Sequence, residues 1–363
     1  MKVVVTGTRG IPNILGGIET HCEELFPRIA AKGVDVTIIR RTSYVNDTLD
    51  EYKGIKLLNI YAPRKKSFEA IIHTFSAIRR AKRLNADIVH IHAVGPAILV
   101  PYARLLRLKV VFTHHGPDYN RDKWGWLAKK MLRFGEWAAC KFANEVIVIS
   151  NVINGIISNK HNRNDAHLIY NGVPTPDLES DNEYLKELDV EPGKFIFAMG
   201  RFVPEKNFHH LIEAFKPLNG KGCKLVLAGD ADFEDNYSSK LKQNARDNGV
   251  IMTGFIKGRK LHTLLNNARG FVLPSSHEGL PIALLEAMNY RLRVIVSDIP
   301  ANIEVGLDDE YYFKVGNIDE LTEKLKQIIR EPYKRINYNM EAYNWDKIAD
   351  QTLKVYENLL KKK

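Results

Sequence analysis

The sequence predicts an α/β protein built from two doubly wound, parallel-sheet domains. Three observations carry this. Short, almost wholly apolar runs alternate with helical patterns, the runs fall into two series, and a polar stretch separates the series. Strands that are apolar on both faces belong to parallel sheets covered by helices. The first series is 2–6, 36–39, 87–92, 109–113 and 145–150; the second is 195–199, 224–228, 250–252, 270–273 and 294–296. The polar stretch 175–182 reads as a linker. The expected organisation is an N-terminal domain at 1–175, a second domain at 176–345 and a last helix at 346–363. A chain of 363 residues has room for two such cores.

Composition sets the outer bounds. Apolar residues make up 45% and charged residues 26%, the balance of a soluble globular protein. Met1 leads straight into a strand-like run, so no cleavable signal peptide is expected. The best candidate for a membrane span, 93–113, is interrupted by Arg104, Arg107 and Lys109. Cys22, Cys140 and Cys223 are scattered and suggest neither a disulfide framework nor a zinc site. The expected compartment is cytoplasmic. The net charge of +10 calls for an anionic partner or another explanation. Arg64, Lys65 and Lys66 precede Phe68, Ile71, Ile72, Phe75 and Ile78, and Arg79, Arg80, Lys82 and Arg83 follow. This basic amphipathic helix, 64–83, either packs on the core or lies on the anionic inner face of a membrane. No nucleic-acid motif is present, so nucleic acid is not expected as a partner.

Taken in order, the first strand runs into Gly7-Thr8-Arg9-Gly10-Ile11-Pro12, with Gly16-Gly17 ahead of a helix over 20–31. Strand, glycine loop and helix form the phosphate-binding geometry of a Rossmann-like unit. The spacing is not Gly-x-Gly-x-x-Gly, and the strand at 36–39 lacks an acidic residue at its tip, which disfavours a dehydrogenase. His92, His114 and His115 sit at strand ends, where ligands of such sheets gather. Asn171-Gly172-Val173-Pro174 is a turn. In the second series, the strand at 195–199 leads to Gly200-Arg201, then Lys206-Asn207 and a helix. A guanidinium fork and a mobile ammonium there suit a diphosphate. Asp230-Ala231-Asp232 reads as an ordinary turn rather than a metal site.

The run 270–276 reads as a buried strand entering a polar turn, followed by His277-Glu278-Gly279-Leu280-Pro281 and a helix with Ile282, Leu285, Ala287 and Met288 on its apolar stripe. Glu278 lies at the helix mouth and Glu286 one to two turns inside. Carboxylates beside an anion-favouring helix end suggest a phosphorylated, hydroxyl-rich ligand. At the C-terminus, Asp346 reads as a cap, with Ile348, Leu353, Val355, Tyr356 and Leu359 along an apolar face.

The Glu278-x7-Glu286 stretch resembles the signature of retaining nucleotide-sugar glycosyltransferases of family 4, which have the GT-B fold. Thr113-His114-His115-Gly116 resembles that family's Thr-x-His-Gly turn, and Gly200-Arg201 with Lys206 its diphosphate clamp. Asn207 is a departure, since glycine is common there. Gly254-Phe255-Ile256 resembles the segment around the nucleobase. Gly10-Ile11-Pro12 with Gly16-Gly17-Ile18-Glu19 is similar to the opening loop of enzymes that build bacterial surface polysaccharides such as capsule and lipopolysaccharide.

The resemblance implies two Rossmann-like domains facing a cleft, with the C-terminal helix crossing back to the first. It puts Gly16 and Gly17 near the donor diphosphate and the acceptor, and Arg201 and Lys206 on the leaving diphosphate. It puts Glu286 on the ribose, and His115 and Glu278 beside the donor sugar with Gly279 and Leu280 in the same loop. It implies metal-free transfer of a hexose from a nucleotide-diphosphate sugar to a glycan or lipid-linked acceptor, with no cofactor. The alternatives are a non-catalytic sugar-binding module and a sugar-nucleotide-modifying enzyme.

Overall fold

The computed structural model describes residues 1–63, 69–121 and 124–362. Arg64, Lys65, Lys66 and Phe68, the start of the expected basic helix, lie outside the described residues. The chain forms two compact units, Met1–Gly172 with Tyr343–Lys363, and Val173–Ala342.

The strands of the first unit are β1 (Lys2–Thr6), β2 (Asp35–Arg41), β3 (Glu51–Tyr52), β4 (Ile55–Ile60), β5 (Ile88–His92), β6 (Lys109–His114), β7 (Glu145–Val148) and β8 (His167–Leu168). They form one sheet in the order β3-β4-β2-β1-β5-β6-β7-β8, parallel except for the β3–β4 hairpin. Its helices are α1 (Gly17–Ala31), α2 (Glu69–Arg83), α3 (Val100–Leu105), α4 (Trp126–Phe142) and α5 (Asn151–His161). Val3 pairs with Val36 and Ile88, which fixes the three central strands in register. The order turns outward on either side of β1, so β1 and β5 flank a topological switch point.

The second unit holds β9 (Phe195–Met199), β10 (Lys224–Ala228), β11 (Ile251–Gly254), β12 (Gly270–Leu273), β13 (Arg293–Ser297) and β14 (Tyr312–Phe313). All its pairings are parallel, in the order β11-β10-β9-β12-β13-β14. Its helices are α6 (Asn182–Glu187), α7 (Phe208–Phe215), α8 (Asn236–Asp247), α9 (Gly258–Asn267), α10 (Ile282–Asn289), α11 (Pro300–Ile303) and α12 (Ile318–Arg330). Phe195, Ile196, Phe197 and Ala198 are all fully buried, as a central strand covered on both faces requires.

The last helix, α13 (Trp345–Lys361), belongs to the first unit, although the whole second unit precedes it in sequence. It packs against α1, and Trp345, Ile348, Val355, Tyr356 and Leu359 join the core built by Leu25, Phe26 and Ile29. Its N-cap is Asn344 rather than the expected Asp346. The Asn344 side-chain oxygen accepts from the amides of Asp346 (2.9 Å) and Lys347 (3.0 Å). Asp346 is already inside the first turn, where its charge favours the helix dipole without capping. One other expected boundary moves: α1 begins at Gly17 rather than Thr20. Pro281 is the N-cap of α10.

Candidate active site

The sequence-predicted residues divide between the units. Gly16, Gly17 and His115 lie in the first; Arg201, Lys206, Glu278, Gly279, Leu280 and Glu286 lie in the second.

In the second unit, two loops at the carboxyl ends of neighbouring strands are stitched together. After β9 the chain crosses β10 closely: a Cβ on Gly229 would stand 1.9 Å from the Gly200 carbonyl oxygen, and Gly229 adopts a φ of +136°. Only glycine fits that crossing. The Phe202 amide then donates to the Asp230 carbonyl at 2.9 Å, which aims the Arg201 turn. A short 3-10 turn, Pro204–Lys206, ends at Asn207 in the left-handed region (φ 50°). This explains how asparagine serves where glycine is common, since asparagine tolerates that conformation. The Asn207 side-chain amide also donates to the Pro274 carbonyl at 3.1 Å, and the Ser276 amide donates to the Glu205 carbonyl at 2.9 Å.

These bonds bring the post-β9 turn against the loop between β12 and α10. There the Lys206 Nζ donates to Glu278 Oε1 at 2.5 Å, both side chains mostly buried. Arg201 Nη1 donates to Asp232 Oδ2 at 3.0 Å, and Lys242 pairs with Asp230 at 2.7 Å. The Asp-x-Asp sequence therefore holds cations. Gly279 is half-buried beside Glu278, and Leu280 is buried. Glu286 lies half-buried on α10, a helix whose Ile282, Leu284, Leu285, Ala287 and Met288 are buried. Gly254 has φ +70° at the end of β11, and Phe255 beyond it is exposed.

In the first unit the loop after β1 is organised by a residue that sequence reading treats only as part of a motif. Glu19 is buried, and its Oε1 accepts from Thr8 Oγ1 (3.2 Å) and the Arg9 amide (3.0 Å). A Cβ on Gly16 would stand 2.1 Å from Glu19 Oε2, so glycine is needed for the carboxylate to fold back there. Gly17 is exposed at the start of α1.

The two adjacent histidines after β6 have different surroundings. His114 is fully buried, and its Nε2 meets Glu136 at 2.9 Å. Glu136 also takes bonds from Tyr119 and His161. Burial pushes the Glu136 carboxyl up, but these hydrogen bonds outweigh it and bring it down to about 2. His115, half-buried in the following loop, meets His92 instead, with its Nε2 2.9 Å from His92 Nδ1. His92 stacks at 4.2 Å on His90, whose nitrogens engage Tyr356 (2.5 Å) and Thr113 (2.6 Å). His21, from α1, stands edge-on to His115 at 4.8 Å and pairs through Nδ1 with Asn171 Oδ1 at 2.9 Å. His21 was legible only as a helix residue; the strand order of β1, β5 and β6 makes it a neighbour of His115.

Burial disfavours the charged forms of His21, His90, His92 and His115. His21 is lowered to about 4 and His90 to about 3, and His92 and His115 fall well below the usual histidine range. Neutral rings must choose a tautomer. Among the described residues, His92 Nε2 and His21 Nε2 are buried with no hydrogen-bond partner. A buried, unpartnered N–H is costlier than an unused lone pair, so each ring carries its proton on Nδ1. His92 therefore donates to His115, and His115, accepting at Nε2, keeps its own proton on Nδ1.

Among the described residues, His21, His92 and His115 form a group that could hold a metal ion, one ring nitrogen from each lying within 4.8 Å of the others. The His92–His115 hydrogen bond engages one nitrogen of each of two of these rings, which stack at an interplanar angle of 28°.

Residues 15–176 match the family described as Glycosyltransferase Family 4, and residues 180–345 that described as Glycosyl transferases group 1. The amylovoran biosynthesis glycosyltransferase of Erwinia amylovora is 23% identical, with 94% of this chain and 93% of that protein covered. The UDP-Gal:alpha-D-GlcNAc-diphosphoundecaprenol alpha-1,3-galactosyltransferase of Escherichia coli is 24% identical, with 90% and 88% covered. The solved structure of Anabaena HepE in complex with UDP and glucose has a TM-score of 0.79 and 18% identity, over 99% of this chain and 100% of that one. That last likeness is one of fold.

Proposed function

Because the chain is a glycosyltransferase of the GT-B type, we propose that it transfers a hexose-type sugar from a nucleotide-diphosphate donor to a glycan or lipid-linked hydroxyl. The setting is bacterial surface-polysaccharide synthesis. The named activities of the Erwinia and Escherichia relatives support that setting, and the latter's supports a lipid-linked acceptor.

The observation that carries the reading is the Lys206–Glu278 pair. It brings together the cation that would take the leaving diphosphate and the carboxylate that would position the donor sugar's hydroxyls. Arg201 supplies a second fixed cation, so charge developing on the diphosphate meets preorganised partners without a metal. The bond from the anomeric carbon to the diphosphate oxygen breaks as the acceptor oxygen attacks the same face. The acceptor's proton goes to the departing phosphate, and configuration is retained. Glu286 holds the ribose, and His115, proton on Nδ1, donates to a sugar oxygen. Gly16 and Gly17 leave room near the diphosphate and the acceptor.

The test is thermal shift with a panel of nucleoside diphosphates and nucleotide sugars, UDP and UDP-glucose first, with and without EDTA. One nucleotide should stabilise the wild-type chain regardless of EDTA, and Lys206→Ala should abolish the effect. Stabilisation that ignores Lys206, or that EDTA removes, would sink the metal-free clamp.

A further inference from the structure

Helix α4 of the first unit turns the usual amphipathic arrangement round. α4 buries its small residues, Gly135, Ala138, Ala139 and Cys140, and exposes most of its large ones. Trp126 is 70% exposed, Leu127 65%, Phe134 49% and Trp137 42%. At 100° per residue, Trp126, Trp137, Lys130, Lys141, Phe134 and Leu127 share one face about 100° wide. The buried side must be small, because a Cβ on Gly135 would stand 2.1 Å from the Val94 carbonyl oxygen. The aromatic side is a coherent surface: Lys130 Nζ lies 3.9 Å over the Trp126 ring, and Phe134 packs on Trp137 at 5.3 Å.

Charge selects the occupant. The helix has a single acidic residue, Glu136, and that one is buried against His114, Tyr119 and His161. Its outward cations are Lys130, Arg133 and Lys141. Tryptophan belts flanked by snorkelling lysines suit the boundary between headgroups and acyl chains. A second copy would bring an equally basic face against this one, which disfavours self-association. We infer that the Trp126/Leu127/Phe134/Trp137 face of α4 seats the protein on an anionic lipid surface. The surface is separate from the clamp residues and needs no donor sugar, so its test and that of the proposed activity fail independently.

The experiment is co-sedimentation of the full chain, without nucleotide, with phosphatidylcholine vesicles or with vesicles also containing phosphatidylglycerol. Expected is partition onto the anionic vesicles with a blue shift in tryptophan fluorescence. Trp126→Ser with Trp137→Ser should lower the partition coefficient on the order of tenfold or more. Lys130→Ala alone should lower it about fivefold, an effect that salt erases. Unchanged thermal melting would show that these exposed substitutions leave the fold intact. Absence of binding at low salt would overturn the inference. So would binding the double variant retains in full, which would put the contact on another surface. A wild-type dimer that the same variants dissolve would reassign the face to self-association and equally overturn it.

Discussion

Lys206 donates to Glu278 across 2.5 Å, joining two loops whose contacting residues lie 72 positions apart. A diphosphate reaching Lys206 must compete with that carboxylate for the ammonium. Glu278→Gln keeps the shape and lowers the competition. Nucleoside diphosphate should therefore bind the variant at least as tightly by calorimetry, while sugar transfer falls. Weaker diphosphate binding in Glu278→Gln would refute the competition. Lys206→Ala, by contrast, should lose nucleotide binding and about 10²–10³ in kcat, the scale of removing one preorganised transition-state donor.

His92 is fully buried, and its hydrogen bond to His115 is placed to set that ring's tautomer. His92→Phe keeps an aromatic ring in the stack with His90 but removes the Nδ1–H donor. Nitrogen NMR of the imidazoles should then report a changed proton distribution on His115. kcat should fall about tenfold at nearly constant donor KM, the pattern of an interaction made in the transition state. A change in KM alone would assign His92 a purely structural role.

Several histidines are buried neutral, and this ties stability to pH. His21 is lowered to about 4 by burial; His73 is lowered to about 3 by burial and by Arg41; His90 is lowered to about 3 by burial. The unfolded chain binds these protons near pH 6.5 and the folded chain only near pH 3–4. Stability is thus full above about 6.5 and is lost as pH falls through that window, on the order of 3 kcal/mol per histidine by pH 4. Melting temperature should drop steeply between pH 6.5 and 4 while staying nearly flat from 7 to 8. His73→Leu, on α2 and away from His115, should lessen the slope; a slope unchanged by it would remove His73 from the account.

The crossing of Gly229 over Gly200 makes the first clamp loop depend on the absence of one methyl group. Gly229→Ala should cost about 1–3 kcal/mol in urea denaturation, from overpacking and the unfavourable φ together. Its nucleotide binding should weaken as well, since Arg201 follows Gly200 directly. Full stability with full binding would show that the crossing can relax.

Much of this architecture is legible from the chain because its central strands are continuous apolar runs. β4 is the instructive omission. Ile55-Lys56-Leu57-Leu58-Asn59-Ile60 mixes polar and apolar residues, as a strand near the sheet edge can, and gives no clear run. The two-residue strands β3, β8 and β14 leave no periodicity to detect. Within the site, Arg201, Lys206 and Glu278 carry local motifs, whereas the Lys206–Glu278 bond needs the Asn207–Pro274 and Ser276–Glu205 stitching that only the fold supplies. His21 and Tyr356 come to His92 and His90 through strand order and the returning helix, neither of which a linear pattern encodes. α4 conceals its orientation for a different reason. Hydrophobic periodicity points large residues inward, and here the close approach to Val94 demands small ones.

The return of α13 has a consequence for the order of events on the ribosome. Trp345 and Tyr356 complete a core whose other walls, from β1 and α1 onward, precede the second unit in the chain. Translation must pass through all of Val173–Ala342 before those two rings become available. The second unit, contiguous in the chain, can reach its final state while the first is still waiting with His90 lacking Tyr356. Residues made before the second unit are thus sealed only after it, and a nascent chain paused before Trp345 would present an open apolar seam along α1 to chaperones.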